Sequence, residues 1–223
     1  MEQVKLSNTD SMYWNEFFPT GCIVASPYPA FNILNANDAM VHMLGYHTLD
    51  EMKSAANGSM ISFIHPDDID RIMKEGPTRE GKTESYAIDY RLRCKNGSYR
   101  WVKQRSRHIL DKDGNELIVA AYMDISDQKE TNNIFRELAD NLPGGVFSYL
   151  DNDEMQFKYV NPNFCHILGY SPEEFKEHFH NSFRYLVYEE DRQRVLKEID
   201  AQLELSDYDV CEYRIQKKDG SLL

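Results

Sequence analysis

The 223-residue chain lacks a basic excess, a long apolar run, a closely spaced cysteine pair and any recognisable catalytic signature, and each absence excludes something. Lys and Arg number 25 against 37 Asp and Glu, a net charge of −12, with 15 basic and 19 acidic residues in 1–130 and 10 and 18 in 131–223. Neither part offers the cationic surface that a phosphate backbone requires, so no nucleic-acid partner is expected. The longest apolar run, Leu117–Met123, is seven residues, far short of the ~20 that cross a bilayer. The opening MEQVKLSNTD does not pair a basic stretch with an apolar one, so no signal peptide is read. A cytoplasmic location without membrane contact is therefore expected. Cys22, Cys94, Cys165 and Cys211 form no CxxC and read as reduced, buried thiols rather than disulfides or metal ligands. No GxSxG, HExxH, GxGxxG or phosphate-loop pattern occurs, and Gly144-Gly145 reads as a turn before a strand. The chain itself is not expected to be an enzyme.

What the chain has is a repeat. Asn37–Tyr46 (NDAMVHMLGY) aligns with Asn161–Tyr170 (NPNFCHILGY) at an offset of 124, and Pro19-Thr20-Gly21 with Pro143-Gly144-Gly145. After the Gly-Tyr pair the offset is 123: Asp68, Arg71 and Lys74 meet Asp191, Arg194 and Lys197, Tyr90-Arg91 meets Tyr213-Arg214, and Lys95–Ser98 meets Lys218–Ser221. The chain therefore reads as two copies of one module.

Local patterns predict the elements of the first copy. Residues 22–26 and 31–35 are short apolar runs separated by Pro27 and Pro29, hence two strands and a turn. Asn37 or Asp38 caps a short helix to Leu44, which Gly45 ends. Residues 49–56 form another helix, and Pro66 with Asp67 and Asp68 opens a third. Tyr86, Ile88, Tyr90 and Leu92 alternate with Ala87, Asp89, Arg91 and Arg93, the period of a half-buried strand. Asn96-Gly97 and Asp113-Gly114 mark hairpins on either side of the strand 99–110. The last strand, 117–125, is apolar on both faces, with Val119, Ala121 and Met123 opposite Ile118, Ala120 and Tyr122; it is expected at the sheet's centre, covered outside as well as inside. Candidate covers are Met12, Trp14, Phe17 and Phe18, and the connector helix carrying Ile134, Phe135, Leu138 and Leu142. That helix serves equally as packing within its own domain or as a dimer seam. The carboxylate pairs Asp67-Asp68 and Glu189-Glu190 read as charges attracted to helix N-termini rather than as acid–base catalysts.

The motifs Asn37…Leu44-Gly45-Tyr46, Asn161…Leu168-Gly169-Tyr170, Phe63-Ile64-His65-Pro66-Asp67-Asp68 and Met123-Asp124-Ile125-Ser126, the last similar to a closing D-I-T signature, together resemble a tandem of PAS domains. The resemblance implies an α+β fold of two PAS-like domains, each a five-stranded antiparallel sheet in the order 2-1-5-4-3 with short helices on one face. The expected organisation is an N-terminal helical flanking segment (1–18), PAS domain 1 (19–126), a connector helix (127–142) and PAS domain 2 (143–223). The second copy has no counterpart of Trp101–Ser126, so it is expected to be incomplete, its last two strands missing. A partner chain or a swapped segment is then expected to complete its sheet.

PAS domains usually hold small molecules between sheet and helices. By that resemblance Ile88, Tyr90, Leu92, Val102, Ile118, Ala120 and Tyr122 face Met40 and Ile72, with Tyr90, Gln104 and Tyr122 as orienting polar groups; the same side chains equally serve as plain core filling. His42 and His166 are equivalent positions, but the stretch 69–74, where haem-holding members place their axial ligand, has no histidine. Nothing matches the N-C-R-F-L-Q stretch of photochemical flavin members, Cys165 included. No haem, flavin or metal cofactor is expected, and an unidentified small-molecule ligand is left open. The resemblance implies a sensory input fragment of a bacterial signalling protein, relaying through Asp124, Ile125 and Ser126 to an output domain outside the chain. That output is a diguanylate cyclase (GGDEF, with or without EAL) in the first place and a histidine kinase in the second. A homodimer is the expected assembly, and a ligand-free interaction module the alternative.

Overall fold

The computed structural model describes residues 19–75 and 86–223, which divide into two compact units, Met1–Glu130 and Thr131–Leu223. The expected N-terminal segment, with Met12, Trp14, Phe17 and Phe18, lies outside the described residues.

In the first unit, strands β1 (Gly21–Ala25) and β2 (Ile33–Ala36) precede helix α1 (Asp38–Met43), helix α2 (Leu49–Ala55), a 3-10 turn (Met60–Phe63) and helix α3 (Pro66–Glu75). The sheet is finished by β3 (Tyr86–Arg93), β4 (Tyr99–Leu110) and β5 (Glu116–Asp124). Hairpins are possible at both joints because Gly97 and Gly114 take φ of +85° and +83°, a region closed to most side chains. All neighbours are antiparallel, in the order β2-β1-β5-β4-β3. On β3 the alternation predicted from the sequence holds: Ile88, Tyr90 and Leu92 are buried against the helices, while Ala87 and Arg93 are exposed.

β5 is central, between β1 and β4. Its outer face differs from the expectation: Val119 and Ala121 are only half-buried and Met123 is 55% exposed. Centrality here follows from backbone pairing, which needs both edges of a strand and not both faces.

The connector helix α4 (Ser126–Asn141) starts immediately after β5. In the second unit β6 (Phe147–Tyr149) and β7 (Phe157–Val160) pair as a two-stranded antiparallel sheet, followed by α5 (Pro162–Leu168), α6 (Pro172–His178), α7 (Phe183–Leu186) and α8 (Arg192–Leu203). Residues 209–215, which align with Tyr86–Leu92 of β3, belong to no strand. The core is aromatic, with Phe147, Phe157, Phe164, Phe175, Phe179 and Phe183 in mutual ring contact.

The two units repeat their tertiary contacts as well as their motifs. Asn37 Oδ1 accepts from Met40 N (3.0 Å) and Cys22 N (2.8 Å), and Asn161 Oδ1 from Phe164 N (3.1 Å) and Val146 N (2.9 Å). Leu44 O accepts from Lys95 N at 2.9 Å, and Leu168 O from Lys218 N at 3.0 Å. Lys95 pairs with Glu51, and Lys218 with Glu174. The asparagines join their helix to the strand region before it and the lysines join the helices to the chain after them, so the short motifs act as tertiary clips as well as markers of local structure.

Candidate functional site

The inner face of the first sheet collects the side chains anticipated for a ligand space. Met40, Ile88, Tyr90, Leu92, Val102, Ile118, Ala120 and Tyr122 are all buried in one cluster, with Ile72 packed at its edge and Gln104 half-buried. The polar groups close on one another: the Tyr90 hydroxyl donates to Gln104 Oε1 at 2.7 Å, and Tyr122 is hydrogen-bonded with Tyr90. Burial, only partly offset by that bond, pushes the Tyr122 phenol up to about 12. Met40, Leu44, Phe63, Leu92 and Val102 fill the space between sheet and helices. Surface depressions lie elsewhere, one of about 430 Å³ over Leu44, Lys95 and Arg100 and one of about 230 Å³ in the second unit.

Where β5 becomes α4, three anticipated residues form a tight junction. Asp124 Oδ1 accepts from Ser126 N at 2.9 Å, capping the helix, while its other oxygen is paired with Arg100. Ser126 Oγ accepts from Trp101 N at 3.1 Å, Ile125 N donates to Trp101 O at 2.8 Å, and Ile125 is buried. Burial works against the Asp124 carboxylate, yet the hydrogen bonds from Ser126 and the Arg100 guanidinium together hold it below the usual carboxylate range. The helix is thus tied to β4 within its first residues. Lys129 adds a second tie, 3.1 Å from Asp89 and 5.0 Å from the centre of the Trp101 ring.

Sequence reasoning missed the partner of Asp68. Instead of merely favouring the N-terminus of α3, its carboxylate forks onto Arg91, accepting from the Arg91 backbone N (3.0 Å), Nε (2.9 Å) and Nη2 (3.0 Å). Asp191 and Arg214 repeat the arrangement at 3.0, 3.0 and 2.8 Å, and Glu190 joins them at 2.9 Å. Asp191 makes no side-chain cap. These acids bind arginines, Arg91 in β3 and Arg214 in the stretch that aligns with it, because one carboxylate satisfies a fork of donors that a helix end does not present. The signal was available in the sequence, since both pairs are 23 residues apart. The Arg91 guanidinium in turn lies 5.4 Å from the Trp101 ring centre, so β3, β4 and α4 meet on one indole, with α3 joined to it through Asp68 and Arg91.

The Arg91 hydrogen bonds hold the Asp68 carboxyl below the usual carboxylate range, against its burial. Unfolded, it titrates near about 3.9. Its contribution to stability is therefore complete above that value and fades as pH falls through the lower folded value. Asp68→Ala, which leaves the Arg91 fork without its acceptor, is expected to cost about 2 kcal/mol at neutral pH. Urea midpoints of variant and parent should converge on acidification; a gap that persists unchanged to the acid limit contradicts this account.

The remaining anticipated residues are scattered by exposure. Ile134, Phe135 and Leu138 on α4 and Leu142 just after it are all exposed, Leu138 by 65%, although the Phe135 ring meets Tyr159 edge-on at 5.5 Å. Cys22, Cys94 and Cys165 are buried as expected, but Cys211 is only half-buried, because residues 207–215 are not sheltered in a sheet. Among the described residues no helix is long and apolar enough to cross a membrane.

Among solved structures, this chain is similar to a sensory box histidine kinase/response regulator from Burkholderia thailandensis E264 (21% identity, 54% of this chain and 87% of that one, TM-score 0.42). It is also similar to the PAS domain of an HTR-like protein from Haloarcula marismortui (18%, 52% and 88%, TM-score 0.40). A third likeness is to a PAS domain from Colwellia psychrerythraea (16%, 53% and 96%, TM-score 0.43). No curated protein matches. The PAS fold family model matches residues 33–123 and again 157–223, more than half of the chain. By that match, which covers four of the five strands of the first unit and most of the second unit, the chain belongs to the PAS fold family.

Proposed function

We propose that the chain is a tandem PAS input module of a bacterial, cytoplasmic signalling protein, in which a small ligand or a partner biases the first unit and α4 carries the bias onward. The observation that carries this reading is the junction at Asp124–Ser126. There the central strand runs into the connector with no intervening loop, and the same residues cap the helix and bind β4. A shift of the inner sheet face at Tyr122 is two residues from the helix cap. Transmission requires two arrangements of this junction that differ in ligand affinity.

The exposed stripe of Ile134, Phe135, Leu138 and Leu142 is read as a homodimer seam. Residues 207–213, with Tyr208 and Val210 exposed and in no strand, are read as an open sheet edge that two further strands complete, from a second copy by swapping or from elsewhere in the parent protein. The output is assigned first to a diguanylate cyclase and second to a histidine kinase. A ligand-free interaction module remains the second reading, favoured by the fully packed inner face.

Native mass spectrometry against the denatured mass tests the sensor reading. An adduct lost on denaturation, and abolished by filling the inner face with Ala120→Phe, supports it. A bare mass even after incubation with cell extract transfers the assignment to the interaction module. Asp124→Ala is expected to cost about 1 kcal/mol through the lost cap, to speed amide exchange at 126–130, and to leave the exchange of β1 and β3 unchanged. Equal exchange in variant and parent at 126–130 would sink the relay role of this residue.

A further inference from the structure

We propose that the second unit carries a binding site for a small planar aromatic carboxylate on its surface, separate from the sheet-and-helix space of the first unit, where α6, α7 and the start of α8 converge around His178, His180, Tyr185 and Arg192. The depression there has a volume of about 230 Å³, room for one ring and its substituent. Its floor is apolar, from buried Phe179, Leu186 and Val187. Its walls are rings: His180 meets Tyr185 edge-on at 4.9 Å, and Tyr188 lies under Arg214 at 4.9 Å. Arg192 closes one end, its guanidinium 5.4 Å from the Tyr185 ring centre and its Nε donating to Val187 O at 3.3 Å.

The charges favour an anion. Among the described residues no acidic side chain forms an ion pair with His178, His180 or Arg192, although residues 131–223 carry 18 acids against 10 bases. The nearby Arg194, Arg214 and Lys218 are all engaged by carboxylates. Glu189 is the one acid lining the depression, and it is solvent-exposed. A guanidinium already stacked on a phenol keeps its Nη groups set in a plane, the geometry that meets a carboxylate in two parallel hydrogen bonds.

The first unit acts as an internal control. It has the same scaffold, yet at the aligned positions it carries Ala55, Asn57, Ser62 and Ile69 in place of His178, His180, Tyr185 and Arg192. The turn is even built alike: Asn57 and Gly58 take φ of +49° and +80°, and His180 and Asn181 take +50° and +52°. Packing of the shared scaffold therefore does not demand the aromatic and basic set. Side chains added to one copy of a scaffold that stands without them are what a grafted site consists of.

The test is a titration of the full chain with 4-hydroxybenzoate, followed by amide chemical shifts, with inorganic phosphate as a second probe. Shifts confined to residues 178–192 that saturate below about 10 mM are expected, since a Kd of that order is already measurable binding. Arg192→Gln, and separately His180→Asn with Tyr185→Ser, should weaken binding at least about tenfold. The latter pair uses residues the first unit already holds in the same turn, so its urea midpoint should match the parent's. No saturable shift from 4-hydroxybenzoate, shifts centred elsewhere, or affinity unchanged from the parent's in either set of variants overturns the proposal. Phosphate binding as tightly as the benzoate would overturn its aromatic part, leaving a simple anion hold.

Discussion

Replacing Asn161 with Ala is expected to remove about 4 kcal/mol from the second unit, most of what a module of its size holds. Asn161 is fully buried and uses its whole amide: Oδ1 accepts from Val146 N and Phe164 N, while Nδ2 donates to Ala139 O at 2.8 Å and Gly144 O at 3.0 Å. One side chain thus caps α5, holds the entry to β6 and grips the last turns of α4. Alanine takes its acceptor from the half-buried Val146 N–H, and takes one donor each from Ala139 O, which keeps Leu142 N at 3.3 Å, and from Gly144 O, which keeps Asn163 Nδ2 at 3.3 Å; a shielded N–H that loses its acceptor costs more than the bond itself. The consequence reaches the proposed relay, because Ala139 lies on the connector. Urea unfolding with a probe in each unit should show the second unit's midpoint falling with its slope intact. A loss below about 1 kcal/mol would mean that water takes over the amide's bonds, and the clip would then be dispensable.

Gly145→Ala should cost about 3 kcal/mol, and its equivalent Gly21→Ala only about 1 kcal/mol. A methyl on Gly145 would lie 2.3 Å from Phe164 Cδ2 and 2.7 Å from Cγ, inside a rigid ring that itself stacks on Phe147 at 5.5 Å. At Gly21 the same methyl meets Met43 Cε at 2.7 Å and Met40 Sδ at 2.8 Å, on unbranched chains that can turn aside, and the Met40 Cα at 3.1 Å, which needs a shift of only a few tenths of an ångström. Phe164 and Met40 are aligned positions, so the two copies differ chiefly in the stiffness of one neighbour. Combining Gly145→Ala with Phe164→Met should recover part of the loss, a coupling that a double-mutant cycle reads directly. Strict additivity, or equal costs at the two glycines, would show that the ring is free to move away.

Most of the first unit was legible in the sequence because its signals are local. Asn37 at a cap, Pro66 at a first turn, period-two alternation along 86–93 and glycines at two hairpins each report a backbone preference that neighbouring residues already enforce. The order β2-β1-β5-β4-β3 came from the resemblance carried by those motifs, and the sheet follows it. Less legible were the contacts between elements. Asp68 beside Pro66 looks like any acid at a helix start, and only the fold brings Arg91 to it. Val119, Ala121 and Met123 imply a covered outer face by their hydrophobicity, yet pairing on both edges places β5 at the centre without full cover.

The sequence by itself determined that a set of motifs recurs and, to within a residue or two, where most helices and strands of the first unit lie, because these depend on near-neighbour geometry and on self-alignment. Only the tertiary structure decided that Trp101 gathers Arg91 and Lys129, that Asn161 reaches Ala139, and that His178, His180, Tyr185 and Arg192 surround one depression. Those residues are brought together by the packing of separate elements, and the distance between two side chains in such a packing is set by the whole unit, not by their spacing along the chain.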